Sequence, residues 1–245
     1  MHRKGVILNH RDIANKENLW WSSHPSESYY AYHKDLLKLS TLLSKNHLPI
    51  GTVSGWKGST VSAITSNFGK IPYQRCLIHI LRSVKTLLPK KSPIIATRKL
   101  RQIALKIIHL KDEIEIWRWQ EKLIDWKIEH GKLLTTKTIG KNTKKEWWYT
   151  HGNLRRAWRL LTKDHDPFFT YLNSELIPKS NNSLEGVNSQ LKQKLGDHIG
   201  MKYQQQIVFI FWYFTFSRVK NISDLKKLWA GWKKLYNSKN TLNYP

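Results

Sequence analysis

Short apolar runs alternate with helical apolar stripes through residues 1–90, and this alternation limits the fold more than any other feature of the sequence. The runs that predict strands are Val6–Leu8, Leu48–Val53 and Ile71–Gln74. The stripes with helical spacing that follow them include Leu36 with Leu39, Val61 with Ile64, and Leu77 with Ile80 and Leu81. Because strand and helix alternate, the pattern predicts an α/β fold in which helices cover a sheet.

The first predicted strand begins very close to residue 1. We expect Asp12–Asn18 to form the turn that follows it. A sheet strand needs neighbours, and nothing precedes this one, so we expect the α/β core to be incomplete at its N-terminus.

Helical periodicity replaces the strand signals after residue 91. We therefore divide the chain into the first part of the core (1–90), a helical Trp-rich insertion (91–178), a helix carrying Glu185 with the end of the core (179–218), and a C-terminal amphipathic helix (219–245).

Three apolar patterns in this helical part predict packing. Ile207–Phe216 is apolar all round and is expected to be buried, as either a helix or a strand. Ile114, Trp117, Leu123 and Trp126 are expected to form one buried stripe. Trp229 and Trp232, on the last helix, are interpreted as packing residues, since tryptophans at helical spacing bury a large area.

The charge of the chain restricts its partners. Lys and Arg number 42 against 17 Asp and Glu, a net charge of +25. A nucleic-acid backbone is the common partner of such a chain, and a membrane surface competes, although no single basic amphipathic anchor dominates. The lone cysteine, Cys76, excludes an intrachain disulfide and fits a reducing compartment. No signal peptide or bilayer-length apolar run is present, so we expect a cytoplasmic protein, nucleoid-associated if it binds DNA.

One carboxylate is well placed at the start of a predicted helix. Asn181–Ser183 can cap the helix, and Glu185 lies in its first turn, where backbone N–H groups favour anions. The following residue, Gly186, leaves room for a large ligand. The simpler interpretation of this stretch is a capped surface helix with an exposed Glu.

Three short motifs, in this order, resemble the Mutator-like insertion-sequence group of DDE transposases. The first is Gly55-Trp56-Lys57-Gly58 after a strand, the second runs from Gln74 through Cys76 to His79, and the third is Asn181-Asn182-Ser183-Leu184-Glu185-Gly186. The resemblance covers residues 26–214. It implies an RNase H-like catalytic core with a helical insertion before the last catalytic acid, which agrees with the order of elements predicted above.

The resemblance also implies transposition of a mobile element through Mg²⁺-dependent cleavage and strand transfer at DNA ends. Three carboxylates hold two Mg²⁺ ions in such a mechanism. Glu185 matches the third acid. Ser54 stands where the family has the second, by substitution or after a deletion, and the first belongs on a strand upstream of Met1. Asp12 is a poor substitute because Asp in a turn is ordinarily structural.

We therefore expect a degenerate, truncated transposase that lacks two of its three acids and does not bind Mg²⁺ productively. Its expected partners are DNA element ends, and a second copy of the chain or a full-length transposase. The alternatives are an inactive basic DNA-binding protein and, less favoured, a basic component of a ribonucleoprotein.

Cys76 and His79 are spaced to lie together at the start of a helix. We favour packing, with a DNA or active-site role second. Zinc is a remote third, because a tetrahedral site needs two more ligands than this pair supplies.

Six basic residues are candidates for contacts with DNA phosphates. They are Lys57, Arg75 and Arg82 near the presumed catalytic face, and Arg155, Arg156 and Arg159 in the insertion. Each is equally well explained as part of a solvated helix face.

Overall fold

The computed structural model describes residues 5–43, 48–140, 146–163, 166–198 and 200–240. The strands are β1 (Val6–Asp12), β2 (Glu17–His24), β3 (Thr52–Ser54), β4 (Tyr73–Arg75), β5 (Lys137–Ile139) and β6 (Trp147–Tyr149). The α-helices are α1 (Tyr29–Leu42), α2 (Gly58–Phe68), α3 (Leu77–Leu87), α4 (Ile95–Leu105), α5 (Glu113–His130), α6 (Gly152–Thr162), α7 (Asn182–Asp197), α8 (Tyr203–Phe216) and α9 (Ile222–Asn240).

The chain divides into two compact units. Unit 1 comprises Met1–Glu27 and Ser183–Pro245, and unit 2 comprises Ser28–Asn182. Segments 28–90 and 91–178, which we assigned to different regions from the sequence, therefore fall in the same unit. None of the helices in the described part of the chain is both long and apolar enough to cross a membrane.

The core of unit 2 is built around α3. All five apolar residues of its predicted stripe are buried: Leu77, Ile80, Leu81, Val84 and Leu88. They pack in one cluster with α4, α5, α6 and the short 3₁₀ turns that end near Tyr171. Full burial of an aliphatic side chain contributes roughly 1.5–3 kcal/mol, so this cluster makes a large favourable contribution to the stability of unit 2.

The buried face of α5 differs from the predicted stripe. Trp119 and Trp126 are buried, and their indole N–H groups donate to the carbonyl oxygens of Ile103 and Ala96, both at 2.9 Å. Ile114 and Trp117 are exposed. Apolar residues lie on more than one side of this helix, so the inward side is decided by the indole hydrogen bonds and by stacking of Trp126 on Trp158 at 5.1 Å.

Unit 2 contains one parallel strand pair. β3 and β4 pair in parallel, with Ser54 opposite Arg75, and the crossover between them is α2. This is the strand–helix–strand order predicted from the sequence. A second sheet in the same unit, the antiparallel pair β5–β6, was not predicted, because its strands lie in the part of the chain where helical periodicity replaces the strand signals.

The N-terminal prediction needs correction in unit 1. β1 extends to Asp12, and β2, which was not predicted, pairs antiparallel with it. The neighbour that the first strand needs is therefore a hairpin partner, so the strand is not the start of the α/β alternation. Ile7 and Trp21, one from each strand, pack on the small cluster of Leu191, Ile210 and Phe214 from α7 and α8.

Two predictions about the C-terminal helices are also wrong. Ile207–Phe216 is helical, but only one side of α8 is buried, while Val208, Phe211 and Phe216 are exposed. On α9, Trp229 and Trp232 stack on each other at 5.2 Å and remain exposed, so they do not fill a core.

Candidate functional site

The first two sequence motifs meet in unit 2 where β3 and β4 end. Ser54 closes β3, Arg75 closes β4, and Cys76 follows as the N-terminal cap of α3. Because the two strands are parallel, their carboxyl ends lie at the same edge, which is where open α/β sheets bind ligands. We call this region the strand-end site.

Ser54 faces a neutral partner at this site. Its hydroxyl and that of Tyr73 are hydrogen-bonded to each other. Burial raises the pKa of the Tyr73 hydroxyl above its usual value, although the bond to Ser54 acts in the opposite direction. The pair is therefore neutral at physiological pH and presents no anion.

Trp56 adopts an unusual backbone conformation beside this pair. Its φ is +63°, in the left-handed region that costs a residue with a Cβ about 1–2 kcal/mol. The indole packs edge-on against Tyr73 at 5.2 Å and under the guanidinium of Arg75 at 5.5 Å. These contacts offset the strain.

Gly55 allows α3 to approach β3 closely. A Cβ at this position would lie 3.2 Å from Cδ2 of His79, tighter than ordinary contact. The glycine of the first motif thus makes room for the histidine of the second. Gly58 and Gly186 have no such neighbour, since a Cβ at either would meet nothing within 4 Å.

Cys76 is fully buried and bonded to two motif residues of unit 2. Its thiol donates to Oδ1 of Asn181 at 3.0 Å. Burial raises the pKa of the Cys76 thiol, but hydrogen bonds from His79 and from the backbone of Asn181 outweigh it, and the pKa lies below its usual value. The Leu77 N–H also donates to the Lys179 carbonyl at 3.0 Å, so the segment leading into α7 is fixed to the start of α3.

Glu185, the predicted third acid, is half-buried in the first turn of α7, three residues after Asn182 begins that helix. Asp12, the rejected substitute, caps its own turn in unit 1. Its carboxylate accepts from the backbone N–H of Asn15 at 3.1 Å and from the Asn15 side chain at 2.8 Å. Burial raises the Asp12 pKa, but the Asn15 bonds leave it lowered.

The basic candidates fall into two groups. Arg75 is only 8% exposed, with its guanidinium 4.9 Å from the Phe168 ring centre, and Arg155 stacks on Tyr149 at 3.9 Å and donates to the Leu134 carbonyl. Both pack against aromatic rings, and their contact with DNA phosphates stays a prediction. The candidates that remain exposed are Lys57, Arg82, Arg156 and Arg159.

Three residues of the site were not predicted to contribute to it. Tyr73 directly precedes the second motif and Gln74 is its first residue, and their position on β4 was the available signal. The Gln74 amide donates to the Phe168 carbonyl at 2.8 Å and accepts from the Tyr171 N–H at 3.0 Å. Phe168 carries no signal in the sequence, because its role depends on the tertiary approach of Arg75.

Comparison with known families agrees with this geometry. A model described as the transposase IS66 family matches residues 61–187, just over half of the 245 residues. The chain belongs to the IS66 transposase family. The broader prediction of a DDE transposase is thereby confirmed, while the match does not support the narrower Mutator-like assignment. A search of curated proteins finds no match.

The match of the IS66 family covers only part of the motif set. It includes Cys76, His79 and Glu185, and Ser54 lies before its first residue. Residues 52–58 and 73–79 contain no Asp or Glu, so these two segments offer a hydroxyl, a thiol and an imidazole. Mg²⁺ prefers hard oxygen ligands, above all carboxylates. By themselves these two segments therefore do not fit Mg²⁺.

Proposed function

We propose that this IS66-family chain binds DNA and does not cleave it. The observation that carries the proposal is the neutral Ser54–Tyr73 pair at the end of β3, where the family resemblance calls for a metal-binding carboxylate. A hydroxyl supplies no negative charge to a pair of divalent ions.

DNA binding is supported by the net charge of +25 and by four exposed candidate cations, Lys57, Arg82, Arg156 and Arg159. Family membership makes DNA the expected polyanion. The RNase H-like core is also our proposal, supported by the parallel β3–α2–β4 unit with α3 following it. Association with a second copy or with a complete transposase stays a prediction that sedimentation of the pure chain would test.

The binding test uses the full chain and fluorescent duplexes covering the DNA that flanks its gene. If the four exposed cations all contact phosphates, log K should fall against log salt with a slope of about −3.6. Replacing Arg156 and Arg159 with Gln should reduce the slope by about 1.8. The matched control replaces Lys226 and Lys227 on α9, both exposed, with Gln, which changes the net charge equally.

The cleavage test incubates the same duplexes with Mg²⁺ or Mn²⁺. We expect intact DNA and no difference between the wild-type chain and Glu185→Gln. Metal-dependent cleavage that disappears in Glu185→Gln would refute the absence of cleavage. Tighter binding to RNA of the same sequence would instead favour the ribonucleoprotein alternative.

A further inference from the structure

The hairpin formed by β5 and β6 presents tryptophan on both of its faces. Trp147 lies opposite Ile139, and Trp148 lies opposite Thr138. Because side chains alternate along a strand, the two indoles point to opposite faces. Trp147 is 44% exposed, Trp148 is 41% exposed and Ile139 is 79% exposed.

Such exposure is unusual for this architecture. A two-stranded hairpin is marginally stable alone and ordinarily packs one face on a core, and tryptophans are highly buried on average. Here the packing on the rings is limited: the Lys137 ammonium lies 3.9 Å from the Trp147 ring centre, and Tyr149 meets Trp147 edge-on at 5.3 Å. Among the described residues, no ring stacks on Trp148.

Cations border these rings. Lys137 lies over Trp147 and Arg155 lies over Tyr149. The exposed Arg156 and Arg159 follow Arg155 in the sequence, on α6. Glu146, just before β6, is the acidic residue adjoining the two strands. Rings interleaved with cations suit a strand of nucleic acid, because bases stack on the rings while cations follow the phosphates. A protein partner with an apolar surface would fit this hairpin less well, because the cations interrupt its apolar surface.

We propose that this hairpin binds single-stranded DNA by stacking bases on Trp147 and Trp148. The inference rests on the proposed DNA-binding function and adds to it a preference for unpaired bases. Bases inside a duplex already stack on one another, so exposed indoles gain contacts only where strands are open, as at frayed or nicked ends.

The test measures anisotropy of a fluorescent single strand and of its duplex, each about 20 nucleotides long so as to exceed one binding site. Trp147→Ala and Trp148→Ala should each weaken single-strand binding by roughly 5- to 160-fold, the usual range for loss of one stacked base. Duplex affinity and the salt slope should stay unchanged, because no phosphate contact is removed. Trp147→Phe keeps a ring and should retain most of the affinity.

Trp117→Ala is the matched control, since Trp117 is a comparably exposed tryptophan on α5 of the same unit. Unchanged single-strand affinity in both hairpin variants would overturn the inference, as would an equal loss in Trp117→Ala. A wild-type chain that binds duplex but not single strands overturns the inference and leaves the proposed function standing. A chain that binds neither overturns both.

Discussion

Replacing Gln74 with Leu should weaken unit 2 substantially. Gln74 is fully buried in β4, and its amide serves three backbone groups: it donates to the carbonyls of Arg75 (2.7 Å) and Phe168 (2.8 Å) and accepts from the Tyr171 N–H (3.0 Å). Leu fills a similar volume but forms no hydrogen bond. Leaving a buried polar group unpaired costs about 1–3 kcal/mol.

The expected loss follows from these three contacts. We take the lower end of that range for each group, because the substitution also removes a buried amide, and obtain about 3 kcal/mol. The loss should concentrate in residues 166–172, which Gln74 fixes to the end of β4. We therefore also expect the Tyr171 amide to exchange with solvent at least tenfold faster, a shift of about 1.4 kcal/mol or more in its local opening.

Urea unfolding followed by circular dichroism and amide hydrogen exchange would measure the two effects. Gln102→Leu is the matched control, because it makes the same chemical change at an exposed position of α4 in the same unit. A loss below about 1 kcal/mol in Gln74→Leu, together with a Tyr171 amide as protected as in the wild type, would refute the reasoning.

Three further measurements test other parts of unit 2. Burial raises the pKa of Tyr171 to about 12, so the folded chain holds the phenol proton more tightly than the unfolded chain does. The contribution of Tyr171 to stability is therefore full below pH 10 and is lost as the pH rises towards 12. The difference in unfolding free energy between the wild type and Tyr171→Phe should shrink between these two pH values. Cys76 is fully buried, so a disulfide reagent should modify it only after urea unfolds the chain, and rapid modification of the native protein would contradict its burial. Trp126→Phe removes the indole hydrogen bond to the Ala96 carbonyl, which keeps its helical donor in α4, so the lost bond should cost about 0.5–1.5 kcal/mol in urea unfolding; an unchanged free energy of unfolding would contradict a contribution from this bond.

The sequence predicts the buried face of a helix best where most apolar residues lie on one side of it. In α3 most apolar residues lie on one side, and the predicted stripe of Leu77, Ile80, Leu81, Val84 and Leu88 is buried in full. In α5 apolar residues lie on two sides of the helix, with Ile114 and Trp117 on one side and Trp119 and Trp126 on the other. Local periodicity cannot choose between them, since the choice depends on carbonyl groups of α4 that accept the indole hydrogen bonds.

The strands that were missed show the same limit. β2 and the β5–β6 hairpin were not predicted because their pairing depends on a partner strand rather than on their own pattern. The resemblance singled out Ser54, Gly55, Cys76 and His79, but the close approach of Gly55 to His79 depends on tertiary packing that the sequence does not show. In the same way the sequence identifies Arg75 as a cation but does not reveal the rings of Trp56 and Phe168 beside it.

Metal-dependent cleavage and DNA binding differ in how exactly the side chains must be placed. Holding two Mg²⁺ ions needs several carboxylates at one point, so a single neutral residue such as Ser54 is enough to abolish the site. Attraction between exposed cations and phosphates acts over about 8–10 Å at ordinary ionic strength and tolerates rearrangement of individual side chains. DNA binding therefore does not depend on the carboxylate that residues 52–58 and 73–79 lack, and Ser54→Ala, which adds no charge beside Lys57, should leave the affinity for duplex DNA measured by anisotropy nearly unchanged.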